Sequence, residues 1–240
     1  MAMQEQLISY MHNGAEHEAF MAWDDSLSGP LPGVLVSHAW GGRSEFEDSK
    51  ARDLAAQGYV GFAVDMYGKG IRGSSPEENT ALMTPLLENR SELQARILSA
   101  LDVLSTQPQV DGARCAAMGY CFGGLCVLDL ARVGAAVAGV ISIHGLFNAP
   151  DNTADRSIAA KVLCLHGYDD PMAPPQSVLD LASELSAAGA DWQLHAYGGT
   201  VHAFTNPQAN APDSGTVYSA SADARATQAC SNFFAELFSG

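Results

Sequence analysis

Residues 119–123 read Gly-Tyr-Cys-Phe-Gly, and a further glycine, Gly124, follows. A cysteine set between two glycines at this spacing is a nucleophile candidate. A short apolar run (residues 114–118) precedes it and apolar residues at helical spacing (122–133) follow it, so the segment reads as strand, sharp turn and helix. Such a turn holds its central residue in a strained backbone conformation, and the flanking positions must lack a Cβ. The Cys121 thiol then stands at a helix amino terminus, where unpaired N–H groups and the helix dipole favour a thiolate. With 23 glycines and 5 cysteines in 240 residues, chance supplies about 0.05 such matches per chain, so the motif needs partners elsewhere before chemistry follows.

A thiol at its ordinary pKa of about 8.5 is mostly protonated at neutral pH, so it needs a base, and the base needs an orienting acid. The apolar run 162–165 leads into His166-Gly167-Tyr168-Asp169-Asp170-Pro171, a strand followed at once by a carboxylate turn. The run 192–197 leads into Gly198-Gly199-Thr200-Val201-His202-Ala203-Phe204, a strand followed by a loop histidine. Nucleophile, acid and histidine thus occur in the chain order of the α/β-hydrolase template. Either Asp169 or Asp170 can be the acid. The spacing from Gly167 favours Asp170, which is carried past the turn, while Asp169 caps or solvates the loop.

His38 ends the apolar run 34–37 and precedes Ala39-Trp40-Gly41-Gly42. In the same template that turn forms the oxyanion loop, so the backbone N–H groups of Ala39 and Phe122 are the expected oxyanion donors. His38 itself is expected within hydrogen-bonding reach of Cys121, as a modulator of the thiol. Trp40, Tyr120, His144 and Phe204 are the expected pocket walls. His12, His17 and His195 read as exposed or peripheral, and His166 as a turn residue that satisfies backbone groups.

Positioning these groups requires strands that alternate with helices. Residues 6–11 and 18–23 read as a hairpin around His12-Asn13-Gly14-Ala15. Strands follow at 33–37, 59–65, 114–118, 137–143, 162–166 and 192–197. Helices are expected at 45–57, 77–106 (interrupted near Pro85), 122–133, 175–188 and 220–238. Alternation of this kind predicts βαβ units and a mostly parallel sheet whose reactive residues sit at the carboxyl ends of strands. No repeat or linker splits the chain, so 1–240 is expected to form one α/β domain. The loop 147–160 is too short for a separate cap, which predicts an open site.

Hydrophobic residues make up 47% and charged residues 16%, a composition that suits a compact enzyme. The net charge of −15 argues against nucleic acid and anionic membrane surfaces as partners. No signal-like amino terminus and no long apolar stretch is present. The five cysteines form no C-x-x-C pair, so neither a disulfide framework nor a metal site is expected, and reduced thiols in the cytoplasm fit best.

The chain resembles the dienelactone hydrolase family. The matching pieces are Gly119-Tyr120-Cys121-Phe122-Gly123-Gly124, Val64-Asp65-Met66-Tyr67-Gly68, the turn from Asp170 to Pro174, and His202-Ala203-Phe204. The resemblance implies a Cys121/His202/Asp170 triad in a single α/β-hydrolase domain with no cofactor, acting on ester or lactone bonds. Two positions depart from the family pattern. His38 stands where enzymes acting on dienelactone place a glutamate that contacts the resting cysteine. Asn206 stands where they place an arginine that holds the substrate carboxylate. These departures favour an uncharged small-molecule ester, with Cys121 forming an acyl-thioester. A phosphotriesterase using the same cysteine, a dienelactone or lactone hydrolase, and a non-catalytic binding protein are the alternatives. The oligomeric expectation is a monomer or homodimer.

Overall fold

A computed structural model describes residues 2–153 and 156–239. The chain opens with the hairpin β1 (Met3–His12) and β2 (Ala15–Asp24). Asn13 and Gly14 both take positive φ, 46° and 82°, the conformation that a two-residue type I′ turn demands. There follow β3 (Leu31–Ser37), α1 (Glu45–Ala56), β4 (Val60–Val64), α2 (Pro76–Glu88), α3 (Arg90–Ser105), β5 (Val110–Tyr120) and α4 (Phe122–Arg132). The second half is β6 (Gly139–Ile143), β7 (Lys161–Gly167), α5 (Pro175–Ala187), β8 (Trp192–Tyr197), the short pair β9 (Asn210–Ala211) and β10 (Thr216–Val217), and α6 (Ala220–Phe238).

Eight strands form one sheet in the order β1-β2-β4-β3-β5-β6-β7-β8. The pairings β1/β2 and β2/β4 are antiparallel and every other pairing is parallel. This mostly parallel sheet with flanking helices is the α/β-hydrolase architecture expected from the sequence. Alternate residues of the central strands are buried on opposite faces. Val34, Val36, Met118 and Ile141 pack with Phe233 and Phe234 of α6, whereas Leu35, Ala117 and Val140 pack with Leu104, Leu128 and Leu181 of α3, α4 and α5. The strand order reverses around β3, since β4 lies on one side of it and β5 on the other. The crevice beyond the carboxyl ends of β3 and β5 is therefore where the topology opens a ligand site.

Two details differ from the sequence expectation. The helical stretch 77–106 breaks at Asn89 rather than Pro85, which α2 contains. Asn89 supplies the break because its side chain accepts the Glu92 N–H at 3.1 Å and caps α3. His17 is buried rather than peripheral, with Nδ1 3.0 Å from the Asp65 carbonyl and its ring stacked on Tyr10. The loop 147–160 carries no helix or strand among its described residues, and residues 154 and 155 of it lie outside them. No described helix is long and apolar enough to cross a membrane.

Candidate active site

The turn between β5 and α4 places Cys121 at φ 55° and ψ −115°, a conformation that a non-glycine residue holds only where its surroundings impose it. The two glycines allow the close approach that does so. A Cβ on Gly119 would lie 2.1 Å from the Gly123 carbonyl oxygen, and one on Gly123 would lie 2.2 Å from the Ser37 oxygen at the end of β3. Both clashes are with backbone, which cannot rotate aside. Gly123→Ala is therefore expected to cost at least about 2 kcal/mol, measured as a lowered urea midpoint; an unchanged midpoint would show that strand and helix can separate freely.

Cys121 is partly exposed, whereas Cys115, Cys126, Cys164 and Cys230 are buried. It lines a cavity of about 350 Å³ together with Ala39, Trp40, Tyr120, His144 and His202. Burial pushes the thiols of Cys115, Cys126, Cys164 and Cys230 up, to about 12 for Cys164 and Cys230, which leaves them as unreactive packing groups.

His202 and Asp170 are brought together from two loops. Asp170, just past β7, accepts the Met172 N–H on Oδ1 at 2.8 Å and lies 2.7 Å from His202 Nδ1 through Oδ2. Both side chains are buried, at 3% and 0% exposure, so this is a strong charge-assisted pair. Asp169 instead points outward and accepts the Gly199 N–H at 2.6 Å, bracing the loop that leads to the histidine. The β9–β10 hairpin, which the sequence reading missed, grips His202 by its backbone. His202 N–H donates to Gly215 O at 2.9 Å, and Val217 N–H donates to His202 O at 3.1 Å.

Nε2 of His202 makes no hydrogen bond of ordinary geometry, yet Cys121 is near enough to act on the ring as a charge and as an acceptor. Burial opposes protonation of this ring. The charge of a Cys121 thiolate and then the Asp170 carboxylate outweigh it, and the pKa is raised to about 10. The arrangement therefore favours a protonated His202 ring beside Cys121 at neutral pH.

The two backbone N–H groups expected to meet an oxyanion lie at the start of α4 and on the loop after β3. Phe122 begins α4, so its N–H has no intrahelical acceptor. The Ala39 N–H points at Glu47 Oε1 across a long 3.4 Å contact.

His38 does not reach the thiol as expected. Its Nδ1 donates to the Ala39 carbonyl at 2.6 Å and its Nε2 accepts the Met66 N–H at 3.1 Å, so both ring nitrogens are spent on backbone. Burial holds its pKa below the usual histidine range, and the neutral ring ties the oxyanion loop to the loop after β4. Phe204 does not line the cavity either. It is fully buried behind the wall, edge-on to His144 at 5.3 Å and to Tyr197 at 5.4 Å. His166, expected to bond backbone, is buried against Phe147 with neither ring nitrogen partnered.

Trp40, Tyr120 and His144 do line the cavity. His144 sits at φ 36°, with Nε2 2.9 Å from Thr205 Oγ1 and its ring edge-on to His202 at 5.1 Å. Burial, and then the charge of His202, pushes its pKa well below the usual range, which keeps it neutral. Further cavity residues went unnoticed in the sequence, among them Phe46, Glu47, Arg72 and Met172. The Ser44-x-x-Glu47 spacing of a capping box was the available signal for Glu47.

Residues 18–238 match the dienelactone hydrolase family. A dienelactone hydrolase-like promiscuous phosphotriesterase, P91, obtained from metagenomic libraries, is 34% identical, with a TM-score of 0.93 over 99% of each chain. A structure described as m3DLH is likewise 34% identical, with a TM-score of 0.94 over 99% of this chain and all of its own. A putative carboxymethylenebutenolidase of Aquifex aeolicus is 28% identical over 84% of this chain and 87% of that protein. The family match spans nearly the whole chain and the two solved relatives share its fold from end to end; this chain belongs to the dienelactone hydrolase family and is a hydrolase.

Proposed function

We propose that the protein is a cysteine-dependent hydrolase of uncharged esters. The observation that carries this reading is the buried 2.7 Å Asp170–His202 pair beside a cysteine held in a strained turn at a helix amino terminus. The Cys121 thiolate attacks the ester carbonyl carbon, and the carbonyl electron pair moves onto oxygen, where the N–H groups of Phe122 and Ala39 meet it. Collapse expels the alkoxide, which takes the proton from His202 Nε2 and leaves an acyl-thioester. A water then gives a proton to the now neutral His202 as its oxygen attacks the thioester. Collapse of that second adduct releases the acid and restores the thiolate–imidazolium pair.

The namesake lactone substrate is less well supported. The neutral Asn206 faces the cavity where an anion clamp would be needed, and Arg72, its single arginine or lysine among the described residues, stands exposed at the rim.

In this scheme His202 enters as the acid, so the raised pKa dictates an alkaline limit. For an alkyl ester, whose leaving group needs the proton, kcat/KM should fall as pH rises through about 10. An activated aryl ester leaves without that proton and should lack this limb. Identical alkaline limbs for the two esters would argue that His202 is not the proton donor.

A second reading adds neutral phosphotriesters as substrates. It is favoured by the 34% identity, over 99% of each chain, to a protein described as a promiscuous phosphotriesterase. The thiolate would attack phosphorus and displace the aryl oxide, and water would then hydrolyse the sulfur–phosphorus bond. A panel of aryl ester, lactone and aryl phosphotriester tests both readings. Sustained phenol release from the triester that disappears in Cys121→Ala supports the second; one stoichiometric burst followed by a dead enzyme refutes it. A wild type inert toward every ester refutes the first.

A further inference from the structure

Glu47 is a buried charge that its local structural duty does not require. It is the third residue of α1 and completes a capping box, accepting the Ser44 N–H at 2.8 Å and the Ser44 hydroxyl at 2.7 Å, both on Oε2. A glutamine fills that role equally well. The other oxygen, Oε1, has only the long contact to the Ala39 N–H. Yet Glu47 is 2% exposed and shares the cavity wall with Cys121. Three donors and no donated proton suit an ionised, acceptor-only carboxylate.

No cation neutralises it among the described residues. Arg43, close by in sequence, spends its guanidinium on Asp48 at 2.8 Å and Glu18 at 3.4 Å. Lys50, one turn along α1, sits over the Phe46 ring at 5.4 Å. His38 has both ring nitrogens committed to backbone. An unpaired buried carboxylate is costly to keep, and its field in the cavity wall is screened less than that of a surface charge. Two opposing charges line the cavity: the His202 imidazolium, already paired with Asp170 at 2.7 Å, and Arg72, exposed at the rim and screened by solvent. The aromatic faces of Trp40, Phe46 and Tyr120 line the same space and offer a cation a favourable surface. The −15 net charge adds long-range attraction of the same sign.

We infer that Glu47 sets the charge preference of this cavity, so that cation-bearing and neutral esters are accepted and anionic ones are turned away. The inference rests on the reading of Cys121 as the reactive centre. Its test does not depend on ester turnover. Two methanethiosulfonate reagents of similar size, one ending in trimethylammonium and the other in sulfonate, are reacted with Cys121. The thiolate attacks the reagent's sulfenyl sulfur, a disulfide forms and methanesulfinate leaves, so each rate reports the local potential at the sulfur. Cys121→Ala supplies the blank.

Relative to a small free thiol, the wild type should favour the cationic reagent by about tenfold or more, and Glu47→Gln should cut that preference by about fivefold. The glutamine keeps the capping box, and an unchanged urea midpoint verifies that the fold is intact. An equal preference in wild type and Glu47→Gln overturns the inference, as does a larger shift in Arg72→Gln than in Glu47→Gln. A protein that hydrolyses no ester but shows the Glu47-dependent preference would refute the proposed function and leave this inference standing.

Discussion

Cys121→Ala is expected to lower kcat for an aryl ester by about four to six orders of magnitude while leaving the urea midpoint nearly unchanged. Loss of a triad nucleophile removes the covalent route, and the oxyanion donors and binding contacts retain a small residue of acceleration. Stability is spared because the Cys121 side chain makes no capping hydrogen bond and stands half-exposed at the cavity. The same variant carries a second readout. The thiolate charge is the largest of the influences that raise His202, so its removal should lower the imidazole pKa from about 10, as followed by the pH dependence of its NMR resonances. A Cys121→Ala protein with more than a tenth of wild-type activity would mean that another group attacks the substrate.

The second large effect separates two adjacent aspartates. Asp170→Asn is expected to lower kcat by about 10⁴, because a neutral amide no longer selects the Nδ1–H tautomer or stabilises the imidazolium. Asp169→Asn should change kcat less than about threefold. Its carboxylate is exposed and braces Gly199, so its cost should appear as a modest loss of stability of about 1 kcal/mol. Comparing kcat and urea midpoints for the two variants checks both statements. Equal losses of activity would mean that the orienting role is shared across the turn.

Several parts of the molecule were legible in the chain because they obey local rules. The Gly-x-Cys-x-Gly spacing announces a strand-to-helix turn, since only glycine tolerates the 2.1–2.2 Å approach that a Cβ would make to backbone on either side. The Asn13-Gly14 dipeptide supplies the two positive φ angles of its hairpin turn. Alternation of short apolar runs with helical periodicity led to the parallel sheet, and hence to the carboxyl ends of β3, β5, β7 and β8 as the site. Asp170 was favoured over Asp169 by its place beyond the turn, and the structure puts its carboxylate on His202.

Tertiary structure alone decided where side chains point. His38 was placed at the right strand end, but its ring is captured by the Ala39 carbonyl and by the N–H of Met66, a residue of a different loop, which leaves no ring nitrogen for the thiol. Phe204 follows the histidine closely, yet the left-handed turn at Ala203 (φ 57°) leads the chain inward and leaves the ring in the core. The helix break at Asn89 went to the residue with a capping side chain, because α2 accommodates a proline whose missing N–H costs one bond. Glu47 carries an ordinary capping signal, and only the fold of α1 against the loop after β3 turns it into a buried carboxyl on the wall of the cavity that Cys121 lines. Backbone conformation and periodicity are governed by neighbours a few residues away, which a sequence displays. The partner that captures a loop side chain comes from a distant part of the chain, and it exists only once the sheet has brought the strand ends together.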